Sequence, residues 1–203
     1  MIAIINYGVG NLFSLESSFN AIGQDVKVTS DPEDLKKSER IILPGVGAFE
    51  DAAKKLKSSG LIGTFLDEVK KGKPVLGICL GMQMLFTKSF EFGEHEGLDL
   101  IPGSVRYIGE VIPKELKIPQ IGWNALKLGI GRNEASIIKN EGEYVYFVHS
   151  YAAFCDEKFI TATTNYGADL TAAVQNKNVY GVQFHPEKSG NVGLNILREF
   201  CSL

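Results

Sequence analysis

Short apolar runs alternate with longer amphipathic stretches through the first half of the chain. The segment "IAIINYG" (2–8) is almost entirely apolar, which is typical of a strand buried on both faces of a parallel sheet. Apolar side chains then recur at helical spacing from Leu12 to Ile22, and Gly23 can end that helix. Strands that alternate with helices in this way predict βαβ units and a doubly wound sheet.

The same pattern continues into the middle of the chain and then changes. The first half gives further strands at "DVKVTS" (25–30), "RIILPGVGAF" (40–49, a strand running into a loop) and "PVLGIC" (74–79), with helices over 48–57 and 61–71. From about residue 103 the apolar runs are shorter and alternate with polar residues, which indicates antiparallel strands. These runs are "SVRYIG" (104–109), "GWNAL" (122–126), "EYVYFVHSY" (143–151), "FITATT" (159–164), "TAAVQ" (171–175) and "VYGVQFHP" (179–186). The stretch 192–200 is again helical.

We therefore expect an α/β fold with a mostly parallel central sheet flanked by helices, and additional antiparallel strands in the second half. The 203 residues contain no repeat, low-complexity segment or linker, so a single domain over residues 1–203 is expected. The least regular stretch is predicted at "KSFEFGEHEG" (88–97), which is polar and rich in glycine.

Charge and cysteine content narrow the class of protein. The net charge is −3 and both signs are interspersed, which argues against a nucleic-acid partner. No apolar run reaches the roughly 20 residues that span a bilayer, and the first apolar stretch lacks the basic flank of a signal peptide. The sequence thus predicts a soluble, cytoplasmic protein without a membrane partner. Three unpaired cysteines favour neither a disulfide framework nor a zinc site, and we expect no metal or cofactor.

One of the cysteines has unusual neighbours. Cys79 is the centre of "GICLG" (77–81), a G-x-C-x-G pattern at a predicted junction between a strand and a helix. This is the cysteine version of the nucleophile elbow, in which residues without a Cβ let strand and helix approach closely. The positive N-terminal end of the following helix is expected to favour the thiolate. The alternative is a buried cysteine that only fills the core, which is the more common case.

A catalytic cysteine also requires a base, and the chain has three histidines. In "GVQFHPEKSG" (181–190), His185 and Glu187 are two residues apart, so in a strand they project on the same side. The Glu187 carboxylate can then orient the His185 imidazole, which takes the thiol proton and later returns it to the leaving group. A lone His-Pro-Glu in a surface turn is common, but its combination with an elbow cysteine is much rarer by chance.

Acyl transfer needs hydrogen-bond donors for the oxyanion. One is expected to be the backbone N–H of Leu80, which directly follows the nucleophile. "PGVG" (44–47) follows another predicted parallel strand, so it should lie at the same edge of the sheet and can supply a second donor, the N–H of Val46. Rotation of that peptide, which Gly45 makes sterically cheap, could then switch catalysis on. The alternative is an ordinary turn.

Together, "PGVG", "GICLGMQ" and "HPEKS", in this order and spacing, resemble the class I (triad-type) glutamine amidotransferases, which have a flavodoxin-like fold. "YGVGNL", "LPGVGAFEDA", "GWN", "YFVHSY" and "GVQFHPEKSG" extend the resemblance over essentially the whole chain. Within that family they are similar to the glutaminase subunits of imidazole glycerol phosphate synthases. The resemblance implies that the chain hydrolyses L-glutamine to glutamate and ammonia through a glutamyl thioester on Cys79, with His185 as acid/base and Glu187 as its orienting group.

The resemblance also implies further roles. The family's substrate-binding positions match Gly47, Gln83, Glu91, His149, Ser150 and Tyr151. Its partner is a (βα)8-barrel cyclase subunit, which forms a heterodimer, receives the ammonia and activates the glutaminase in histidine biosynthesis. The positions that face this cyclase match Asn11, Trp123, Tyr146 and Lys188.

Two residues depart from the family pattern, and two other functions stay open. Gln120 stands where relatives often have histidine, and Ala152 where they have a bulkier residue. Both lie outside the triad, so they bear on partner recognition and not on the chemistry. The alternatives are a paralogous glutaminase that supplies ammonia to another synthase, for example in amidination of surface sugars, and a non-catalytic binding protein with a flavodoxin-like fold.

Overall fold

The computed structural model describes residues 1–203. Its strands are β1 Ile2–Ile5, β2 Val26–Thr29, β3 Arg40–Leu43, β4 Val75–Ile78, β5 Phe86–Ser89, β6 His95–Glu96, β7 Ile101–Tyr107, β8 Gln120–Leu128, β9 Tyr144–His149, β10 Tyr151–Cys155, β11 Ile160–Asn165, β12 Asp169–Asn176 and β13 Val179–Val182. Its α-helices are α1 Leu12–Ala21, α2 Pro32–Lys37, α3 Phe49–Ser58, α4 Ile62–Lys70, α5 Leu80–Met84 and α6 Gly190–Cys201.

Nine strands form a central sheet in the order β2-β1-β3-β4-β13-β12-β11-β8-β9. The pairs from β2 to β13 are parallel, and those from β13 to β9 are antiparallel. The expected α/β fold with antiparallel strands from the second half of the chain is confirmed. The last strand, β13, pairs in parallel with β4 and antiparallel with β12, so it joins the two halves and was wrongly grouped with purely antiparallel strands.

Helices cover both faces of the parallel half. Alternate strand residues point to opposite faces, so Ile4 and Ile42 pack with Phe19 of α1 and with α6, whereas Ile41 and Val75 belong to the core cluster that includes α2, α3 and α4. The near-continuous apolar strands follow from burial on both faces. None of the helices combines the length and apolarity needed to span a membrane.

A second sheet of four strands, in the order β10-β7-β5-β6, was not predicted. The run 143–151 looked like one strand, but it divides at Ser150 into β9 of the central sheet and β10 of the small sheet. The stretch 88–97 is also more regular than expected, because β5 and β6 pair at its two ends. The small sheet places this hairpin beside the end of β4.

One short helix was not predicted from the sequence. α2 has six residues, too few for an apolar period to show, but its capping signals are present. The Asp31 side chain accepts a hydrogen bond from the Glu33 N–H at 2.9 Å, and Pro32 occupies the first turn, as favoured at helix starts.

Candidate active site

Cys79 lies at a strained turn between β4 and α5. Its backbone has φ 55° and ψ −112°, in a region that residues with a Cβ rarely occupy. The neighbouring elements are in direct contact: a Cβ on Gly81 would lie 1.9 Å from the Leu43 carbonyl oxygen, and one on Gly77 would lie 2.7 Å from the Gly81 oxygen. The two glycines therefore serve the close approach that the G-x-C-x-G pattern predicted. The helix after the elbow is five residues long, from Leu80 to Met84.

His185 reaches the same edge of the sheet because β13 pairs with β4. The register places Val182 beside Ile78, and the Cys79 N–H donates to the Val182 carbonyl at 2.8 Å. His185 is then fixed by its own N–H, which donates to the Tyr146 carbonyl at 2.9 Å. Parallel pairing thus brings together two residues that are more than 100 positions apart.

The His185–Glu187 pair forms, although not within a strand. β13 ends at Val182, and Pro186–Lys188 is a turn of 3-10 helix. The expectation that a strand aligns the two side chains is wrong, because the chain bends after Val182 and Pro186 begins a helical turn, a position that proline favours. The turn still places Nδ1 of His185 2.8 Å from Oε1 of Glu187, and both side chains are almost fully buried.

The charges around His185 favour its imidazolium form. Burial lowers its pKa, but hydrogen bonds and charge interactions with Cys79 and Glu187 outweigh that effect and raise the pKa to about 10. Burial raises the pKa of Cys155 to about 12 and that of Cys201 to about 11, and in Cys201 it outweighs the opposing charge of Arg40. Of the three cysteines, only Cys79 is hydrogen-bonded to a histidine.

The backbone around the nucleophile carries unpaired donors. The N–H groups of Leu80 and Val46 donate to no backbone carbonyl in the chain, and both residues line the cavity that contains Cys79. Gly45 packs against the elbow: a Cβ there would lie 2.7 Å from the Gly81 nitrogen and 2.9 Å from the Leu80 Cβ. Gly45 is thus required for the close approach of this loop to the elbow, in addition to the freedom of rotation predicted from the sequence.

The cavity at this edge has a volume of about 320 Å³. It brings together the nucleophile, the base, both expected oxyanion donors and every expected substrate-binding position. Its lining residues are Val46, Gly47, Cys79, Leu80, Gln83, Glu91, Pro119, Val148, His149, Ser150, Tyr151 and His185. Pro119 and Val148 carry no chemistry and had not been predicted.

The far side of the cavity is built where the chain leaves β9 for β10. Tyr151 contributes its carbonyl, which lies 2.9 Å from both the Gln83 Nε2 and the His149 Nδ1. Burial lowers the pKa of His149 to about 4, so its imidazole is neutral and cannot replace His185 as the proton carrier at neutral pH. Its Nε2 atom is buried without a partner.

Glu91 lines the cavity but is already engaged. Its Oε2 accepts a hydrogen bond from the Phe49 N–H at 2.6 Å, at the start of α3, and burial raises the pKa of the carboxyl. The carboxylate therefore caps a helix and leaves one oxygen for a ligand. Gln120 and Ala152, the two departures from the family pattern, are fully buried beside this corner; Gln120 pairs with His149 between β8 and β9 and donates to Asn124 at 3.0 Å.

The four residues expected to face a partner lie outside the cavity. Trp123 on β8 packs edge-on against Tyr146 on β9, with ring centroids 4.8 Å apart, and the Lys188 Nζ lies 5.5 Å from the Tyr146 ring. Asn11 is exposed at the start of α1, where its side chain accepts from the Ser14 N–H.

One residue beside the nucleophile had not been predicted. Gln183 is fully buried, and its Nε2 lies 3.7 Å from the Cys79 sulfur. The only signal in the sequence was its position in "GVQFHPEKSG", two residues before His185. A larger cavity of about 640 Å³ between α3, α4 and β6 contains no triad residue.

Comparison with known proteins agrees with this geometry. Residues 3–202 match the model of the family described as glutamine amidotransferase class-I. The imidazole glycerol phosphate synthase subunit HisH of Caldanaerobacter subterraneus subsp. tengcongensis is 50% identical over 98% of this chain and 97% of the relative. The subunit of the same name from Archaeoglobus fulgidus is 47% identical over 100% of this chain and 98% of the relative.

Solved structures share the fold at much lower identity. A crystal structure described as a glutamine amidotransferase superposes with a TM-score of 0.77 at 17% identity, covering 100% of this chain and 98% of the other. PurLQS from Thermotoga maritima gives a TM-score of 0.74 at 18% identity, covering 99% and 97%. The full-length family match and the identity to these relatives show that the chain belongs to the class-I glutamine amidotransferase family.

Proposed function

We propose that the chain is the glutaminase subunit of an imidazole glycerol phosphate synthase, which hydrolyses L-glutamine and passes the ammonia to a cyclase subunit in histidine biosynthesis. The observation that carries the chemistry is the elbow cysteine Cys79 paired with the buried His185 and Glu187 beside one cavity. The identity of 45% or more to relatives named as this subunit supports the pathway.

The first half of the reaction forms a thioester. The Cys79 thiolate attacks the amide carbon of glutamine, and the carbonyl electron pair moves to oxygen, where the N–H groups of Leu80 and Val46 stabilise the charge. When the tetrahedral intermediate collapses, the C–N bond breaks and the His185 imidazolium gives its proton to the leaving nitrogen. The products of this half are ammonia and the glutamyl thioester.

The second half releases glutamate. His185 is now neutral and takes a proton from water, whose oxygen attacks the thioester carbon. Collapse breaks the C–S bond and restores the thiolate beside the imidazolium, and the new carboxyl group loses its proton to solvent as glutamate leaves. Glu187 remains ionised throughout, holding the imidazole by its Nδ1–H and stabilising its charge.

The cavity provides complementary groups for the glutamine head. Glu91 has one free carboxylate oxygen for the α-ammonium group, while Gly47 and the backbone of His149, Ser150 and Tyr151 line the opposite side. A zwitterionic head requires both donors and acceptors around it, and this set supplies both.

A partner surface is continuous with the active site. Ile121 and Trp123 expose their side chains on β8, and Tyr144 does so on β9, which is the edge of the central sheet. An exposed apolar patch at a sheet edge favours a binding interface. Tyr146 belongs to the same face, and its carbonyl accepts a hydrogen bond from the His185 N–H. A cyclase that contacts Tyr146 is therefore separated from His185 by this one residue.

Release of glutamate by the purified chain, alone and with the cyclase of the same organism and its nucleotide substrate, tests this function. We expect slow hydrolysis alone and marked acceleration in the complex. No acceleration would overturn the pathway assignment, and no hydrolysis in either case would overturn the glutaminase assignment.

The interface has a matched control. Trp123→Ala should weaken cyclase binding by about tenfold or more, because exposed tryptophans at interfaces contribute strongly to affinity. Ile130→Ala removes another exposed apolar side chain, seven residues along the chain and about 20 Å from Trp123, and should leave binding unchanged. Titration calorimetry with the cyclase measures both. Equal affinities for the two variants would place the interface elsewhere.

A further inference from the structure

Gln183 occupies the position between the nucleophile and the substrate-binding residue Gln83. Its backbone is fixed by the N–H, which donates to the Ala172 carbonyl at 2.8 Å, and its side chain is fully buried. Gln183 and His185 follow the end of β13, where the chain bends. Both reach Cys79.

The hydrogen bonds around Gln183 have only one consistent arrangement. The Tyr151 carbonyl accepts only, so it must face the Gln83 Nε2, which lies 2.9 Å away. The same Nε2 is 2.9 Å from the Gln183 Oε1. The Gln183 amide nitrogen therefore faces the Cys79 sulfur. A reversed Gln183 amide would set two NH₂ groups against each other and an oxygen against a thiolate.

We propose that Gln183 is a positioning residue of this active site, which donates to the Cys79 thiolate and holds Gln83 in one orientation. The inference rests on the proposed glutaminase function and adds a role that the triad does not supply. His185 and Gln183 approach the sulfur from neighbouring positions of one segment, so the thiolate has two fixed donors.

The same arrangement defines what Gln83 can recognise. Both N–H groups of its amide are used, one by Tyr151 and one by Gln183, so only Oε1 remains for the cavity. Gln83 can then act only as an acceptor, and it binds an N–H group of the substrate. A carboxylate in that position would face an oxygen, which makes Gln83 selective for glutamine over glutamate at that position.

Alkylation of Cys79 by iodoacetamide tests the first role independently of glutamine turnover. The background carries Cys155→Ala and Cys201→Ala, and the rate is measured against pH for this protein and for Gln183→Met. Methionine has a similar volume but no N–H donor. A hydrogen bond to an ionised group is worth roughly a tenfold factor or more, so half-maximal alkylation should move upward by about one pH unit.

The matched control is Gln175→Met. Gln175 is also a buried glutamine, but its side chain faces Asn133, Lys177 and Tyr180. This variant should react with iodoacetamide like the background protein. Thermal unfolding of both methionine variants separates loss of fold from loss of the donor.

Steady-state kinetics in the cyclase complex test the second role. Gln83→Met and Gln183→Met should each raise KM for glutamine about tenfold, and the double variant should be no worse than Gln83→Met, because Gln183 acts on KM through Gln83. An unchanged alkylation profile in folded Gln183→Met, or additive KM effects, would overturn the proposal. If the parent protein hydrolyses no glutamine, the proposed function fails, while the alkylation profile still decides the role of Gln183 at Cys79.

Discussion

The active-site cavity has two sides. Each contains a buried histidine, and the pKa values of the two histidines are shifted in opposite directions. On the nucleophile side, defined by Cys79, His185 and Glu187, neighbouring groups raise the pKa of the imidazole to about 10. On the backbone side, His149 to Tyr151, burial lowers the pKa of His149 to about 4. The difference lies in the partners: His185 faces a thiol and a carboxylate, whereas His149 faces a carbonyl.

This contrast favours His185 as the proton carrier of the proposed reaction. A proton carrier needs a charged form that the protein stabilises, and only the nucleophile side provides one. The neutral His149 instead holds the corner between β9 and β10 in place through its bond to Tyr151. Burial alone would neutralise both rings, but Cys79 and the Glu187 carboxylate together raise the pKa of His185, whereas His149 has no such pair of partners.

Of the variants that test this comparison, the one that replaces the nucleophile should have the largest effect on glutamate release. Cys79→Ser retains the shape of the site, but a hydroxyl is far less acidic than a thiol, so residue 79 no longer supplies an ionised nucleophile. We expect glutamate release in the cyclase complex to fall by at least ~10⁴-fold. Cys155→Ser, which replaces a cysteine outside the active-site cavity, should retain the parent rate. A Cys79→Ser variant with more than a few per cent activity would contradict the assignment.

The next largest effect is expected from Glu187→Gln, which makes the surroundings of His185 resemble those of His149. Turnover should fall ~10³-fold, because the amide neither holds the charge nor enforces the tautomer. Glu187 raises the pKa of His185, so the alkaline limb of kcat/KM should move from near pH 10 to lower pH. Glu157→Gln on the surface serves as the control. An alkaline limb that stays in place would show that another group holds the imidazolium.

On the backbone side, His149 should affect the pH dependence of folding stability and not the catalytic rate. The unfolded state protonates His149 near its ordinary value of 6.5, but the folded state does so only at about 4. The unfolded state thus binds more protons between these values, and folding loses up to ~3 kcal/mol as pH falls through that window. Urea unfolding of the parent and of His149→Gln measures this.

The His149→Gln variant should lose less stability than the parent between pH 6.5 and 4. His185 does not contribute to that window, since its raised pKa gives stability that is fully present below 6.5 and lost only as pH rises toward 10. Equal slopes for the two proteins would contradict the neutral, buried state of His149.

The smallest effect concerns backbone strain at Cys79. Its φ of 55° suits glycine better than any residue with a Cβ. Cys79→Gly should therefore be more stable than Cys79→Ala by about 1 kcal/mol, although both are inactive. Paired urea melts of the two variants give the difference. Equal or reversed stabilities would show that the elbow is not strained.

The sequence predicted the side of the site that depends on local motifs and missed what depends on distant pairing. The elbow glycines and the His-Pro-Glu turn are short signals whose physical reasons hold in isolation, and β4 beside β13 brought them together as expected of one sheet edge. The break at Ser150, which places β9 and β10 in different sheets, has no local signal. Gln183 was missed because a buried amide looks like any strand residue until its partners are known.

We propose that the Cys79 thiolate attacks glutamine in this cavity. A glutamine analogue with a chloromethyl ketone in place of the amide offers an electrophilic carbon at the same position, and its site of attachment is found by peptide mass spectrometry. We expect one label per chain on Cys79, competition by L-glutamine, and much slower labelling in His185→Asn. Inactivation with the label on Cys155, Cys201 or another side chain would contradict it.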